Sequence, residues 1–438
     1  MPVTELDPFS LDIFLATAAA VVFLTLKRPA LGTTALLLLG PFDLSRAVGG
    51  TTLTLEKAAI AGLALGLLFR RTGWSALRRR PASAVGIALL AVVGATALSV
   101  HAALFPGPAV RETFKALEYL LVFGLATAAV AADPDDVLLG RGIAVLAIVG
   151  SLAAVADLLT GAHSAVLVGG RAIPRIAGPL EGPNQLAGWL GLLLPVLFAL
   201  ALRWRDLLVT LALGVATVTL ALTLSRSGIV AALVGLGVVA LWSGTRTRMR
   251  ALLLGVAVLA IAVVVTAGTG AGLHVLSAEQ IDSGNGLATR PQLWHAALAL
   301  WRTHPLLGIG AGNFELRLPD AGLYGVRTHA NDYYLQCLVE GGLPLFAAGL
   351  AASAAWVFGL ARARSPIAIG VFAAGVAFAL HQIVDDLAFY PKVGDLAWCL
   401  VGIATALCAS ALPRAGNDQT STRERNNVSI AASSTART

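Results

Sequence analysis

The chain has 438 residues, 57% hydrophobic and 13% charged, with a mean hydropathy of +0.81 and a formal net charge of +7. Soluble domains carry about 25% charged residues, so this composition excludes a water-soluble enzyme core and a disordered chain. With so few charges, the basic excess reads as membrane topology, and no nucleic-acid partner is expected.

A bilayer-crossing helix needs about 20 mostly apolar residues. In chain order the candidate spans are 11–27, 29–41, 55–69, 83–103, 112–132, 138–160, 184–202, 206–225, 227–242, 251–274, 333–361, 367–385 and 395–412. The 29–41 piece is short for a crossing, so the sequence predicts 12 or 13 spans. The expected fold class is all-α, a polytopic helical bundle forming a single membrane domain over residues 1–412. A Ser-, Thr-, Asn- and Arg-rich tail, 413–438, is expected to be disordered and cytoplasmic. Glu5, Asp7 and Asp12 stand where a signal peptide would be basic, so no removable leader is expected.

Short basic connections fix the orientation. Lys27 and Arg28, Arg70 and Arg71 with Arg78 to Arg80, Arg203 and Arg205, Arg246, Arg248 and Arg250, and Arg362 with Arg364 all fall at one end of alternate spans. One threading puts them all in the cytoplasm. The loops 161–183 and 275–332 and the turn at Ser225 to Ser227 then face outward. The 275–332 connection is long enough to suggest a function, and the Leu and Trp spacing over 290–301 predicts a helix lying at the membrane surface.

The outward face carries Arg171, Arg175, Arg226, Arg290, Arg302, Arg317 and Arg327, which the orientation rule does not explain. Arg226 is the sharpest case, set between two apolar spans with almost no loop. Such a charge faces a bundle interior or a wet cavity, or snorkels to the headgroups. Arginine binds phosphate through a planar fork that stays charged, so arginines converging here would make a diphosphate site for a membrane-anchored substrate. The plain alternative is pairing with Glu181, Glu279, Asp282 or Glu315.

Asn184 follows Pro183 at a helix start, where capping is the simpler role and contact with a sugar hydroxyl the other. GIGAG at 308–312 is a Gly-rich turn that can cradle phosphate, although without a preceding strand or full dinucleotide spacing it reads first as a plain turn. Arg327, His329, Asn331 and Asp332 crowd the point where the long loop re-enters the membrane. Histidine is the usual general base near neutral pH. A hydrogen-bonded interfacial histidine is the bland reading of His329. Cys337, Cys399 and Cys408 have no metal or disulfide spacing and read as small buried hydrophobes. No metal and no cofactor are expected.

Together these pieces resemble the O-antigen ligase and polymerase family of bacterial envelope glycan enzymes. The resemblance rests on Arg175 in RIAGPLEGPNQLA, Arg226 in LTLSRSG, Arg290 in RPQLW followed by PLLGIGAGNF, and THANDYYLQCLVEGGLP, in that order. HQIVDDLAFYP, with His381 and Asp385, is a weaker fifth piece. The resemblance implies a GT-C-type, metal-independent, inverting glycosyltransferase of the cytoplasmic membrane. It would move a glycan from undecaprenyl diphosphate to a glycan or lipid acceptor hydroxyl on the extracytoplasmic side of the lipid bilayer. Arg175, Arg226 and Arg290 would hold the diphosphate. Asn184, Arg327, Asn331 and Arg171 would be weaker substrate contacts.

The re-entry motif of that family commonly reads HAHN before an aromatic, Leu and Gln. Here Asn331 stands where the second His falls and Asp332 where the Asn falls. An amide cannot act as the base, so the role passes to His329 by a local register shift, or to Asp332, or the activity is altered. The rival from another class is a small-anion, bicarbonate-like transporter. Transporters place ionisable groups at the midplane in repeated halves, and the sequence shows no internal repeat.

Overall fold

A computed structural model describes residues 9–42, 44–48, 51–70, 83–160, 164–168, 171–269 and 289–410. The predicted tail 413–438 and the segment 270–288 lie outside the described residues, as do the sites of Glu279 and Asp282.

Fifteen helices are present among the described residues: α1 (Phe9–Lys27), α2 (Pro29–Leu39), α3 (Leu55–Phe69), α4 (Ala84–Ser99), α5 (Pro106–Ala132), α6 (Asp136–Thr160), α7 (Pro183–Trp204), α8 (Leu207–Leu222), α9 (Arg226–Trp242), α10 (Thr245–Gly268), α11 (Arg290–Thr303), α12 (Phe314–Arg317), α13 (Tyr333–Leu360), α14 (Pro366–His381) and α15 (Pro391–Ser410). Lipid offers no partner for backbone polar groups, so an apolar chain crossing it closes its hydrogen bonds within helices. Seven helices are long and apolar enough to cross a bilayer, whereas α2, α8, α9 and α14 are shorter apolar helices. The 12 or 13 expected crossings therefore include several of 11 to 17 residues. Such helices rely on packed neighbours rather than on length.

Two small antiparallel hairpins interrupt the helices, and the sequence reading foresaw neither. β1 (Ser45–Val48) pairs with β2 (Thr51–Thr54), and β3 (Ser164–Val168) pairs with β4 (Arg171–Arg175). The second lies in the predicted outer loop 161–183 and ends on Arg175.

The core is built around α7. Trp189, Phe198 and nearly every leucine of this helix are shielded from contact outside the protein. It is apolar all round, which is the pattern of a helix enclosed by others. Small residues let the partners approach, since a Cβ on Gly370 or Gly235 would collide with Val196 or Pro195 of α7.

Two sets of loops bond among themselves at opposite ends of the bundle. At one end Arg28 pairs with Asp133 at 2.8 Å and Asp135 at 2.9 Å, and Arg141 pairs with Asp206 at 3.0 Å. These are the connections that the charge pattern predicted to share a side. At the other end lie the β3–β4 hairpin, the α8–α9 turn, the α11–α13 connection and the α14–α15 loop, joined by the contacts described below.

α13 contains a break that shapes this second end. Gly342 has φ +62°, and Pro344 follows it. Proline has no N–H, so the carbonyl of Glu340 loses its helical donor. Gly310 N–H supplies one at 2.9 Å, and Ile309 N–H serves the Val339 carbonyl at 2.9 Å. The Leu343 N–H turns instead to Pro305 at 3.4 Å. The Gly-rich segment is thus a strap laid into a broken helix. Gly310 holds φ +94° against the backbone of Ala103, a position only glycine fills without strain.

Candidate active site

Arg175 closes the β3–β4 hairpin and is buried, at 7% exposure. Its Nε donates to the Thr223 carbonyl at 2.8 Å and its Nη2 to Asn184 Oδ1 at 2.9 Å. Capping was the simpler expectation for Asn184, and the structure corrects it. Gly182 is the N-cap of α7, Pro183 takes the first helical position, and Asn184 sits one residue further on. Pro pre-sets the helical φ at N1, which frees the Asn184 amide to orient the guanidinium.

Thr223 opens the α8–α9 turn. Leu224 there adopts φ +52°, an uncommon left-handed state for a branched residue. Ser225 caps α9 by accepting from Gly228 N–H at 3.4 Å, so Arg226 begins the helix and is exposed. Ser227 Oγ lies 3.1 Å from His381 Nε2 at the end of α14. Arg290, in the first turn of α11, is near enough for its charge to act on His381. Arg175 and Arg226 therefore meet at the 223–227 turn, and Arg290 acts on the His381 that this turn's Ser227 contacts, although the three lie on elements far apart in sequence.

The predicted surface helix is α11. Thr289 and Gln292 form its capping box. Its apolar stripe of Leu293, Ala296, Ala297 and Leu300 packs on Ile309, Phe314 and Val339. Among the other outer arginines, Arg317 pairs with Asp320 at 2.6 Å, Arg327 is exposed, and Arg171 begins β4 with its side chain outside the described set.

GIGAG does not cradle phosphate. Its amides serve the α13 break, and Ala311 N–H also binds Ser99 Oγ at 3.1 Å. The Gly312 and Phe314 N–H groups go to the Glu340 carboxylate.

His329 is half-buried. Its Nε2 lies 2.8 Å from the Tyr390 hydroxyl, and its ring stacks on Phe389 at 4.0 Å between centroids. Burial, reinforced by the charge of Lys115, pushes its pKa down to about 4. The imidazole is therefore neutral at pH 7 and free to accept a proton. The Lys115 ammonium is held by Glu112 at 2.5 Å and by the Phe389 carbonyl at 2.9 Å, and it lies 4.4 Å above the Phe389 ring. Burial raises the Tyr390 pKa well above the usual range, so its hydroxyl stays protonated. Gln185 also bonds that hydroxyl. Gln185 is adjacent to Asn184, which links the arginine group to the histidine through two neighbouring side chains of α7.

Asp332 and Asn331 have structural roles. Asp332 is the N-cap of α13 and accepts from Leu335 N–H at 2.9 Å. Burial raises its pKa against the pull of those amides. Asn331 takes φ +52°, where Asn is well tolerated, and its amide bonds the His329 carbonyl at 3.3 Å.

Sequence reasoning missed Tyr390, Phe389, Gln185, Ser227 and Lys115. Tyr390 is the penultimate residue of the quoted HQIVDDLAFYP piece, where only His381 and Asp385 had been singled out. Lys115 carried a usable signal, as one of four lysines and an ionisable residue inside an expected span.

Residues 210–350 match the family model described as O-antigen ligase. The matched segment holds Arg226, Arg290, Arg327, His329, Asn331 and Asp332, whereas Arg175, Asn184 and Tyr390 lie outside it. No curated protein matches the chain.

Proposed function

We propose, from the match of residues 210–350 to the O-antigen ligase family model, that this multi-pass membrane protein transfers a glycan from a lipid diphosphate to an acceptor hydroxyl. The donor in this reading is an undecaprenyl-diphosphate-linked glycan. The reaction face is extracytoplasmic, on the cytoplasmic membrane. The observation that carries the reading is the meeting of Arg175 and Arg226 at one turn, with Arg290 acting on the adjoining His381, together with a neutral, half-buried His329.

The acceptor oxygen attacks the anomeric carbon as the bond from that carbon to the diphosphate oxygen breaks. The acceptor proton passes to His329, and the diphosphate departs as an anion. Attack opposite the leaving group inverts the anomeric centre. Negative charge grows on the departing diphosphate, and preorganised arginines stabilise it without reorganising at the moment of reaction. Arg175 is preorganised by two fixed acceptors. A positioned base contributes about 10²–10⁴-fold when the nucleophile is a weak hydroxyl. Tyr390 and Phe389 hold the His329 ring in place. Asp332 and Asn331 shape the chain around it, and Arg327 and Arg171 are candidates for outer glycan contacts.

The test begins by deleting the gene and identifying the lipid-linked glycan that accumulates, then uses that glycan as donor in membrane vesicles. Arg175→Ala, Arg226→Ala and Arg290→Ala should each lower transfer by about 10²-fold or more at unchanged protein levels. EDTA should leave transfer intact. Full transfer by all three variants would refute the diphosphate clamp. Lost anion uptake with no glycan phenotype would support a transporter instead.

A further inference from the structure

Beside the His329–Phe389 stack lies a partly open cleft of about 110 Å³, walled by α4, α5, α13, α14 and α15. The donor chemistry above does not use it. One part is polar, with Glu112, Lys115, Gln336, Glu340, Gln382 and Asp386. The rest is apolar and aromatic, with Leu89, Val92, Ala352, Trp356, Phe378 and Trp398. Phe389 lines the cleft and also stacks on His329. The cleft and the proposed base therefore share one aromatic wall.

The polar part has a sign. Three carboxyl groups, Glu112, Glu340 and Asp386, face one ammonium, Lys115. Lys115 is committed to Glu112 and to the Phe389 carbonyl. Glu340 Oε1 is occupied by Phe314 N–H at 3.1 Å. Asp386 is different. It is 2% exposed, its carboxyl accepts from Phe389 N–H, and its Oδ1 has no hydrogen-bond partner among the described residues. A buried carboxyl oxygen left unpaired is costly, and it points to a donor that the described residues do not supply. Burial pushes the Asp386 pKa up to about 7, so near neutral pH this carboxyl both accepts from and donates to hydroxyl groups. Hydroxyls pair with carboxyls, sugar faces and alkyl chains pack on aromatic rings, and phosphate finds no uncommitted cation in this lining, since Lys115 is paired with Glu112.

We propose that this cleft binds a neutral, hydroxyl-bearing amphiphile, a glycolipid whose head carries no phosphate, because the one ammonium in its lining, Lys115, is already taken up by Glu112 and offers nothing to an anion. Its assignment as the acceptor rests on the transfer reaction proposed above. The binding preference does not. Donor and acceptor are sorted by the availability of cations, with arginines for the diphosphate and hydrogen-bonding carboxyls for the hydroxyl-bearing head.

The experiment uses the full-length protein in phosphatidylcholine nanodiscs and two photoreactive probes with the same diazirine-bearing alkyl chain, one an alkyl glucoside and one an alkyl phosphate. Crosslinked peptides are mapped by mass spectrometry. The glucoside should label the lining peptides of α4, α13 and α15 and be displaced by excess octyl glucoside. The phosphate should label them at least about tenfold less. Glu112→Gln combined with Asp386→Asn removes charge but keeps hydrogen bonding, and it should raise phosphate labelling severalfold while glucoside labelling persists. Ala397→Leu, which narrows the apolar part, should remove glucoside labelling, with the melting temperature confirming that the variant is folded. Equal labelling of the wild-type cleft by the two probes, or glucoside labelling confined to other peptides, overturns the proposal. Arg175→Ala should leave cleft labelling unchanged. Correct labelling without transfer would therefore refute the transfer reaction alone, and transfer with a phosphate-labelled cleft would refute this inference alone.

Discussion

Replacing His329 by Gln tests the state of the imidazole directly. In the folded protein its pKa stands at about 4 against an ordinary value of 6.5, with burial the larger cause and Lys115 the smaller. Above pH 6.5 the ring is neutral whether the chain is folded or unfolded, and it carries no penalty. Below pH 6.5 the unfolded chain takes up a proton that the folded chain refuses, so stability falls until pH reaches about 4. The gap corresponds to about 3 kcal/mol at about 1.4 kcal/mol per pH unit. Because the ring is only half-buried, solvent screening reduces this to about 2 kcal/mol. The assay follows unfolding in mixed detergent–SDS micelles from pH 7.5 down to 4. The wild type should lose about 2 kcal/mol more than His329→Gln across the 6.5-to-4 window. The acid limb of glycan transfer should likewise fall near pH 4, because only the neutral ring accepts the proton. Wild-type and variant stability curves that run parallel between pH 6.5 and 4 would refute the reasoning.

Two further outcomes follow from the same geometry. Lys115→Met removes a positive charge that opposes protonation of His329, so the acid limb of transfer should move upward from pH 4 while staying below 6.5, because burial remains; a pH–rate profile measures this, and an unmoved limb would separate Lys115 from the histidine. Gly310→Ala forces a Cβ to within 2.4 Å of Ala103 at a backbone φ of +94°, and it should cost about 2–4 kcal/mol in unfolding free energy; a loss below about 0.5 kcal/mol would mean that the strap does not hold the α13 break.

Much of the site was legible as residues but not as partners. Arg175, Arg226 and Arg290 stood out because basic residues on the outer face lack a topological reason to be there. That argument is one of sidedness and needs no contacts. Asn184 was legible as a helix-start residue, yet its role was misjudged. The choice between capping and orienting an arginine depends on which strand lies beside the helix, and the β3–β4 hairpin had left no periodic signal in five-residue strands. GIGAG read as a turn, and a turn it is. Why its amides are unavailable to a ligand follows only from Pro344, 34 residues on, which strips the Glu340 carbonyl of its donor.

The sequence by itself determined the solvent of this protein and its helical class, and it carried the charge pattern from which an orientation is proposed. Those properties are sums over local chemistry, since each apolar run must close its own backbone hydrogen bonds in lipid and each basic turn contributes separately to orientation. Tertiary structure alone decided that Arg175 and Arg226 meet at the 223–227 turn, that Tyr390 and Phe389 hold His329, and that a carboxyl-lined cleft shares the Phe389 wall. Those depend on which helices pack together, and packing in a uniformly apolar chain is set by shape complementarity that no single segment encodes.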